Sequence, residues 1–388
     1  MSGVPAHPTP SATAHSGPLT GVRVVEAGGI GPAPFACRLL AELGADVVRF
    51  DRRDGPPAPH FALGRGKRSV ALDLRDPEDV ALALDLCERA QVLVEGFRPG
   101  VMEGLGLGPD ALLRRNPALV YGRMTGWGQT GPLAGEAGHD INYLGLTGAL
   151  WAMGEADRPP MPPLNLVADF GGGALYLVMG VLAALRHAER TGEGQVVDCA
   201  MTDGVISMTG LFQSLRATGL WADARGANLL DGGAPFYRCY ACAGGGFVAV
   251  GALEPRFHAA LLRGLGLAAD PLFAGRQHDR AAWPEQAEAM AAAFLTRPRD
   301  AWVEHFAGKD ACVSPVLDWA EAAAHPHNRA RGACAGPAQG APKLSLTPLV
   351  AASASPRPDQ DRASVLRDWL GGEAAADDAS DTGRSPSS

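Results

Sequence analysis

Between residues 22 and 51 the chain spells VRVVEAG, then PAPFACRLLAELG, then ADVVRFD. The outer two are β-branched runs. The middle one repeats apolar residues at helical spacing and stops at Gly44, a residue suited to ending a helix. A strand, a helix and a strand within about thirty residues form a βαβ unit. This feature constrains the fold most, because the crossover forces a parallel sheet with helices packed on its faces. The pattern continues with a strand at SVALDL (69–74), an acid-started helix at DPEDVALALDLCERA, and strands at QVLVEGF and PALVYGRM. The expectation is α/β: a Rossmann-like parallel-sheet large domain.

Further on, NLVADFGGGALYLVMGVLAALRHAERTGEGQ reads as a loop, a long buried helix and a glycine turn. VVDCAM then reads as a strand and TDGVISMTGLFQSLRATG as a helix. Composition shifts at DGGAPFYRCYACAGGGFVAVGALEPRF, which predicts a β-hairpin leading to a helix that begins near Pro255. The division expected is a disordered segment at 1–18, a large domain at 19–224 and 326–370, a smaller α+β domain at 225–325, and a free tail at 371–388.

Bulk properties exclude several classes. With 388 residues, 46% apolar and 20% charged, the chain is long enough for two cored domains. A net charge of −8 argues against a nucleic-acid partner, which a basic excess would signal. The opening MSGVPAHPTPSATAHSGP lacks a basic start followed by an apolar core, and the apolar run at 174–185 is too short to span a bilayer. No membrane association is expected. Seven scattered cysteines suit a reducing cytoplasm, and Cys239–Cys242, lying in a strand-like run, reads as structural. No metal-ligand spacing appears.

The first strand-to-helix turn, AGGIGPAPF, invites a dinucleotide-binding reading. Gly29 and Gly31 fit the G-x-G-x-x-G pattern and Asp51 lies at the right interval, but Pro34 replaces the third glycine and Pro32 sits inside the turn. Both prolines remove N–H donors where a pyrophosphate needs them. Basic residues carry more: Arg52 and Arg53 end a predicted strand, GRGKRS holds Arg65, Lys67 and Arg68, Arg75 ends the next strand, and Arg98 follows another. Arginines past the carboxyl ends of parallel strands line the crevice where such sheets bind ligands, and their guanidinium forks suit phosphate.

Acid–base candidates come from AGHDINYL, where His139, Asp140, Asn142 and Tyr143 sit together, from Asp169 in NLVADFGGG, and from Glu254 in VGALEPRF. Gly171 to Gly173 would let a ligand approach the backbone, and the helix start behind them favours negative charge. Taken one at a time, each residue reads equally as a cap or a structural side chain.

GRGKRS, GHDINYL, PLNLVADFGGG, LDGGAPFY and VGALEP, five motifs in the right order within a stretch from about residue 20 to about residue 350, resemble the type III CoA-transferase (CaiB/BaiF) superfamily and, within it, the α-methylacyl-CoA racemases. The resemblance implies a large Rossmann-like domain, a smaller domain and an interlocked homodimer whose active site lies between domains of different subunits. By motif, it assigns His139 and Asp169 as the acid–base pair and Glu254 as the carboxylate that pairs with the histidine. It assigns Arg52, Leu72, Asp73, Leu74, Arg75, Gly138, Asp140, Ile141, Asn142 and Tyr143 to coenzyme A, with Arg98 on the phosphate side. The implied reaction inverts the α-carbon of a 2-methylacyl-CoA by proton transfer through an enolate. It needs no metal or cofactor, since coenzyme A arrives as part of the acyl-CoA substrate. The alternative is a CoA-transferase that forms an aspartyl-CoA anhydride at Asp169. Met153, Met161 and Met208 fit either an acyl surface or the core.

Overall fold

The computed structural model describes residues 17–53, 63–333 and 340–371. The tails expected to be free lie outside these residues, apart from Gly17, Pro18 and Gly371. Gly17 is packed: a Cβ there would meet the Leu43 carbonyl oxygen at 2.2 Å, and the Gly17 N–H donates to Thr20 Oγ1 at 3.0 Å. The expected disorder therefore does not reach residue 17.

The chain divides into two compact units. The first takes residues 1–135, 174–199 and 340–388, and the second takes 136–173 and 200–339. This division differs from the sequence-based one in grouping 136–173, 200–224 and 326–339 with the unit that holds the smaller sheet.

The first unit is built on six strands: β1 (Arg23–Ala27), β2 (Asp46–Asp51), β3 (Arg68–Ala71), β4 (Val92–Glu95), β5 (Val120–Thr125) and β6 (Gln195–Ala200), in the order β3-β2-β1-β4-β5-β6. The pairings from β3 through β5 are parallel, with Val25 opposite Val48 on one side and Leu93 on the other. Val25, Val48, Leu93 and Tyr121 form the core with Leu86, Met102 and Trp369. The fold is mixed α/β, as the alternation predicts. The predicted first helix is Pro32–Glu42, and Gly44 just beyond it takes a φ of 102°, which the missing Cβ permits.

Lys67, expected among the phosphate-binding bases, is fully buried instead. It forms an ion pair with buried Glu26 and donates to the Pro34 carbonyl at 2.9 Å. It thus ties the β3 approach to β1 and to the start of the first helix. Arg68 is likewise engaged, with Asp46 and with Asp368 at 2.8 Å.

The second unit holds an antiparallel sheet of β7 (Tyr237–Ala241), β8 (Phe247–Gly251) and β9 (Val313–Val316). Gly244 and Gly245, at φ 80° and 95°, make the predicted hairpin turn. Phe236, Tyr240, Phe294 and Trp302 fill its core, and the helix predicted near Pro255 runs Pro255–Leu265 with Glu254 as its N-cap residue.

One expectation fails. The stretch read as a loop before the long apolar helix is itself helical: Leu166–Ala174 is a π-helix that runs on into the helix Leu175–Thr191. Together they span 26 residues and contain an 18-residue window of mean hydropathy 1.8, long and apolar enough by those measures to cross a membrane, as core helices also are. The helix is not buried all round. Leu177, Val181 and Leu185 are buried, while Leu166, Leu175 and Met179 are each more than half exposed.

Candidate active site

His139 is the N-cap residue of a short helix, Asp140–Leu146. Its backbone N–H donates to Asn142 Oδ1 at 3.0 Å, and the Tyr143 hydroxyl donates to the Gly138 carbonyl. GHDINY is thus a self-bracing turn that fixes the histidine's backbone while its side chain stays exposed. Asn142 and Tyr143, assigned to coenzyme A by resemblance, have this structural task as well. The Asn142 and Tyr143 N–H groups already bond the His139 carbonyl, at 2.8 and 3.2 Å. In the first turn, the Asp140 and Ile141 N–H groups have no acceptor inside the helix.

Asp140 points the other way. It is only 8% exposed, and its Oδ1 accepts the N–H groups of Ala168 at 3.0 Å and Asp169 at 2.7 Å. The segment carrying His139 and the segment carrying Asp169, thirty residues apart in sequence, are therefore joined at this carboxylate. Burial pushes the Asp169 carboxyl above its usual range. Asn165, donating to Oδ2 at 3.1 Å, opposes this, the nearby Asp140 charge adds to it, and the nearby His139 opposes it. Asp140 is raised too, by its own burial. The helix start beside Asp169 would lower its pKa; burial wins.

Of the glycines after Asp169, Gly172 packs against a neighbouring helix. They lie inside the π-helix, where N–H groups bond along the axis. A Cβ on Gly172 would meet Val205 N at 2.8 Å, and one on Gly204 would meet the Gly172 carbonyl oxygen at 1.9 Å. These two glycines let the helix Met201–Met208 lie directly against the strand of backbone that positions Asp169.

Glu254 is exposed, and among the described residues its carboxylate makes no hydrogen bond or ion pair within the chain. It bears on the Cys312 thiol, which burial and then the Glu254 charge push up. Within one chain the structure does not join it to His139.

In the first unit, the carboxyl ends of β1 to β4 share one edge of the parallel sheet, and the chain order reverses between β1 and β4. That switch point is filled. A Cβ on Gly28 would strike the Phe97 ring at 2.5 Å, and one on Gly96 would meet the Ala33 methyl at 3.1 Å. A dinucleotide seated as in a Rossmann dehydrogenase lacks this space. Beside it, Arg52 is exposed and lies near Asp73, while Arg75 holds the Asp73 carboxyl down to about 2. Arg52 and Arg75 therefore both bear on Asp73, while Leu72 in the same segment is buried. The exposed Arg75–Asp73 pair is worth little in water, so a phosphate can replace its carboxylate cheaply. Arg53 pairs with Asp79 at 2.7 Å, and Arg98 is exposed beyond β4.

The sequence profile of CoA-transferase family III matches residues 19–362. The chain belongs to that family. It is 46% identical over 358 residues to the alpha-methylacyl-CoA racemase of Mus musculus, covering 90% of this chain and 93% of that protein. It is 46% identical over 314 residues to the Homo sapiens alpha-methylacyl-CoA racemase, covering 81% of each. Among solved structures, a CaiB/BaiF family protein from Brucella suis is similar at 26% identity with a TM-score of 0.77, covering 91% of this chain and all of that one. The family fold thus extends over nearly all the described chain.

Sequence reasoning missed the hydrogen-bonding roles of Asn165 and of the Asp140 side chain, and the contact of Gly172 with Gly204. Asn165 stands four residues before Asp169, a helical interval that had meaning only once the stretch was known to be helical.

Proposed function

We propose that the chain is a racemase that inverts the α-carbon of 2-methylacyl-CoA thioesters by 1,1-proton transfer. The observation that carries this reading is the convergence of His139 with a half-buried Asp169 whose carboxyl is raised. Two groups that exchange a proton across a substrate must have comparable affinity for it. An imidazole ordinarily titrates near neutrality, and a carboxyl approaches that range only when something lifts it. Here burial lifts it.

In the proposed step one group of the pair takes the α-proton. The C–H electron pair moves into the thioester carbonyl as an enolate, and the protonated partner delivers its proton to the opposite face. The pair holds one proton before and after, so the two directions are equivalent. The enolate oxygen needs donors, and the free first-turn N–H groups of Asp140 and Ile141 are the candidates, each worth about 3 kcal/mol by analogy with oxyanion holes. Arg52 and the Leu72–Arg75 segment, with Arg98, are proposed to hold the phosphates of coenzyme A.

We further propose a homodimer in which Glu254 of the partner subunit pairs with His139. The unpaired carboxylate and the exposed apolar residues Leu166, Leu175 and Met179 support it. The CoA-transferase alternative uses Asp169 as a nucleophile and gives His139 no task, whereas the racemase uses both.

The test is an NMR assay in D₂O with a single enantiomer of a 2-methylacyl-CoA and no acceptor acid. Loss of the α-proton signal with epimerisation is the expected result. An inert α-proton, with CoA transfer once a free carboxylic acid is added, makes the chain a transferase.

A further inference from the structure

We infer that Asp140 is a positioning residue for the proton-transfer pair, its carboxylate fixing the backbone of Asp169 against the helix start that carries His139; this rests on the racemase reading of the same site. Three observations carry it. Asp140 is 8% exposed, an uncommon setting for an aspartate without a cationic partner. One oxygen, Oδ1, accepts two consecutive backbone N–H groups, those of Ala168 and Asp169. Those N–H groups belong to the first turn of the Leu166–Ala174 helix, where helical geometry leaves donors without acceptors. The carboxylate therefore acts as a helix cap supplied from a distant part of the chain, and the residue it caps is the one that moves the proton.

The arrangement does two things. It fixes the spacing between the pair, since Asp140 is joined to His139 by one peptide bond and to Asp169 by one hydrogen bond of 2.7 Å. It also places a second carboxylate beside Asp169, which adds to the burial effect. The charged and polar groups facing Asp169 are Asp140, His139 and Asn165, and the helix Met201–Met208 packed behind them brings the exposed Asp203. Among the described residues, only Asp140 both bonds the Asp169 backbone and bears on its carboxyl.

The test uses the full-length protein labelled with ¹³C at the aspartate carboxyls, with the Asp169 resonance assigned from the Asp169→Asn variant. Asp140→Asn keeps an oxygen that accepts both N–H groups but removes the charge. In it the Asp169 carboxyl is expected to titrate at lower pH than in the wild type, and the matching limb of the pH–rate profile is expected to move the same way. Asp140→Ala removes the cap as well, and kcat is expected to fall about tenfold or more, the scale set by losing a charge-assisted hydrogen bond. Should the alanine variant fail to fold, amide exchange at Ala168 and Asp169 in Asp140→Asn decides, since a neutral acceptor holds both N–H groups less tightly: exchange no faster than in wild type overturns the inference. An Asp140→Ala protein that folds and keeps the wild-type kcat and pH–rate profile overturns it as well. The racemase reading fails separately: if wild type leaves the α-proton in place, that reading is lost, while the amide exchange still tells whether Asp140 holds the Asp169 backbone.

Discussion

Gly204 offers a test of how the site is held, far from any proton. A methyl group added there would lie 1.9 Å from the Gly172 carbonyl oxygen and 2.9 Å from its Cα. Carbon and carbonyl oxygen rest at about 3.3 Å or more, so Gly204→Ala forces the helix Met201–Met208 and the π-helix apart by more than about 1 Å. Overpacking of this kind destabilises by about 1–3 kcal/mol, which lowers the melting temperature by about 2–4 °C per kcal/mol in a unit of this size. The consequence for catalysis is larger. Asp169 lies three residues from Gly172, and a displacement of about 1 Å at a reacting group lowers the rate about 100-fold. Thermal unfolding and steady-state racemisation would be measured for Gly204→Ala and for Gly210→Ala, whose Cβ meets nothing within 4 Å. The second variant is expected to melt at or slightly above the wild-type temperature. A Gly204→Ala protein that melts and turns over like wild type would refute the reasoning that helix contact at Gly172 positions Asp169.

Other outcomes follow from the same contacts. His258 is buried, which together with the His278 charge pushes its imidazole down to about 4, and its Nε2 has no hydrogen-bond partner. Its unfolded value is about 6.5, so the unfolded chain binds the proton first: stability is full above pH 6.5 and falls as pH drops toward 4, by about 2 kcal/mol at pH 5. Urea unfolding at pH 7 and pH 5 should show this loss in wild type and not in His258→Gln. Lys67→Met leaves Glu26 buried and unpaired and should destabilise by about 3–5 kcal/mol, with Glu26→Gln added on top recovering much of it. Chemical denaturation of the single and double variants measures both. Inactive His139→Ala and Glu254→Gln proteins, refolded together, should regain activity, because a hybrid dimer contains one site with both residues intact; no recovery would count against the shared site.

The large-domain topology was legible because its determinants are local. Strand runs such as VRVVEAG and the helix PAPFACRLLAE carry their period in the sequence, and a βαβ unit has only one common hand. The residues His139 and Asp169 were legible as motif members, but their convergence was not, since it depends on a carboxylate reaching across to two N–H groups 28 and 29 residues away. The π-helix escaped because its three consecutive glycines read as a breaker. Glycine there is required by the neighbouring helix, a tertiary reason that outweighs local propensity. The basic cluster at GRGKRS misled for a related reason. Charge type is visible in sequence, yet nothing in the sequence shows that Lys67 is committed to Glu26 inside the core.

The central claim is that two different groups serve the two faces of one α-carbon. The most direct measurement follows α-proton wash-out into D₂O separately from each enantiomer of a 2-methylacyl-CoA, in His139→Ala and in Asp169→Ala. The account predicts that neither variant inverts the centre and that any residual wash-out is confined to opposite enantiomers in the two variants. Wild-type racemisation in both, or residual wash-out from the same enantiomer in both, would contradict it.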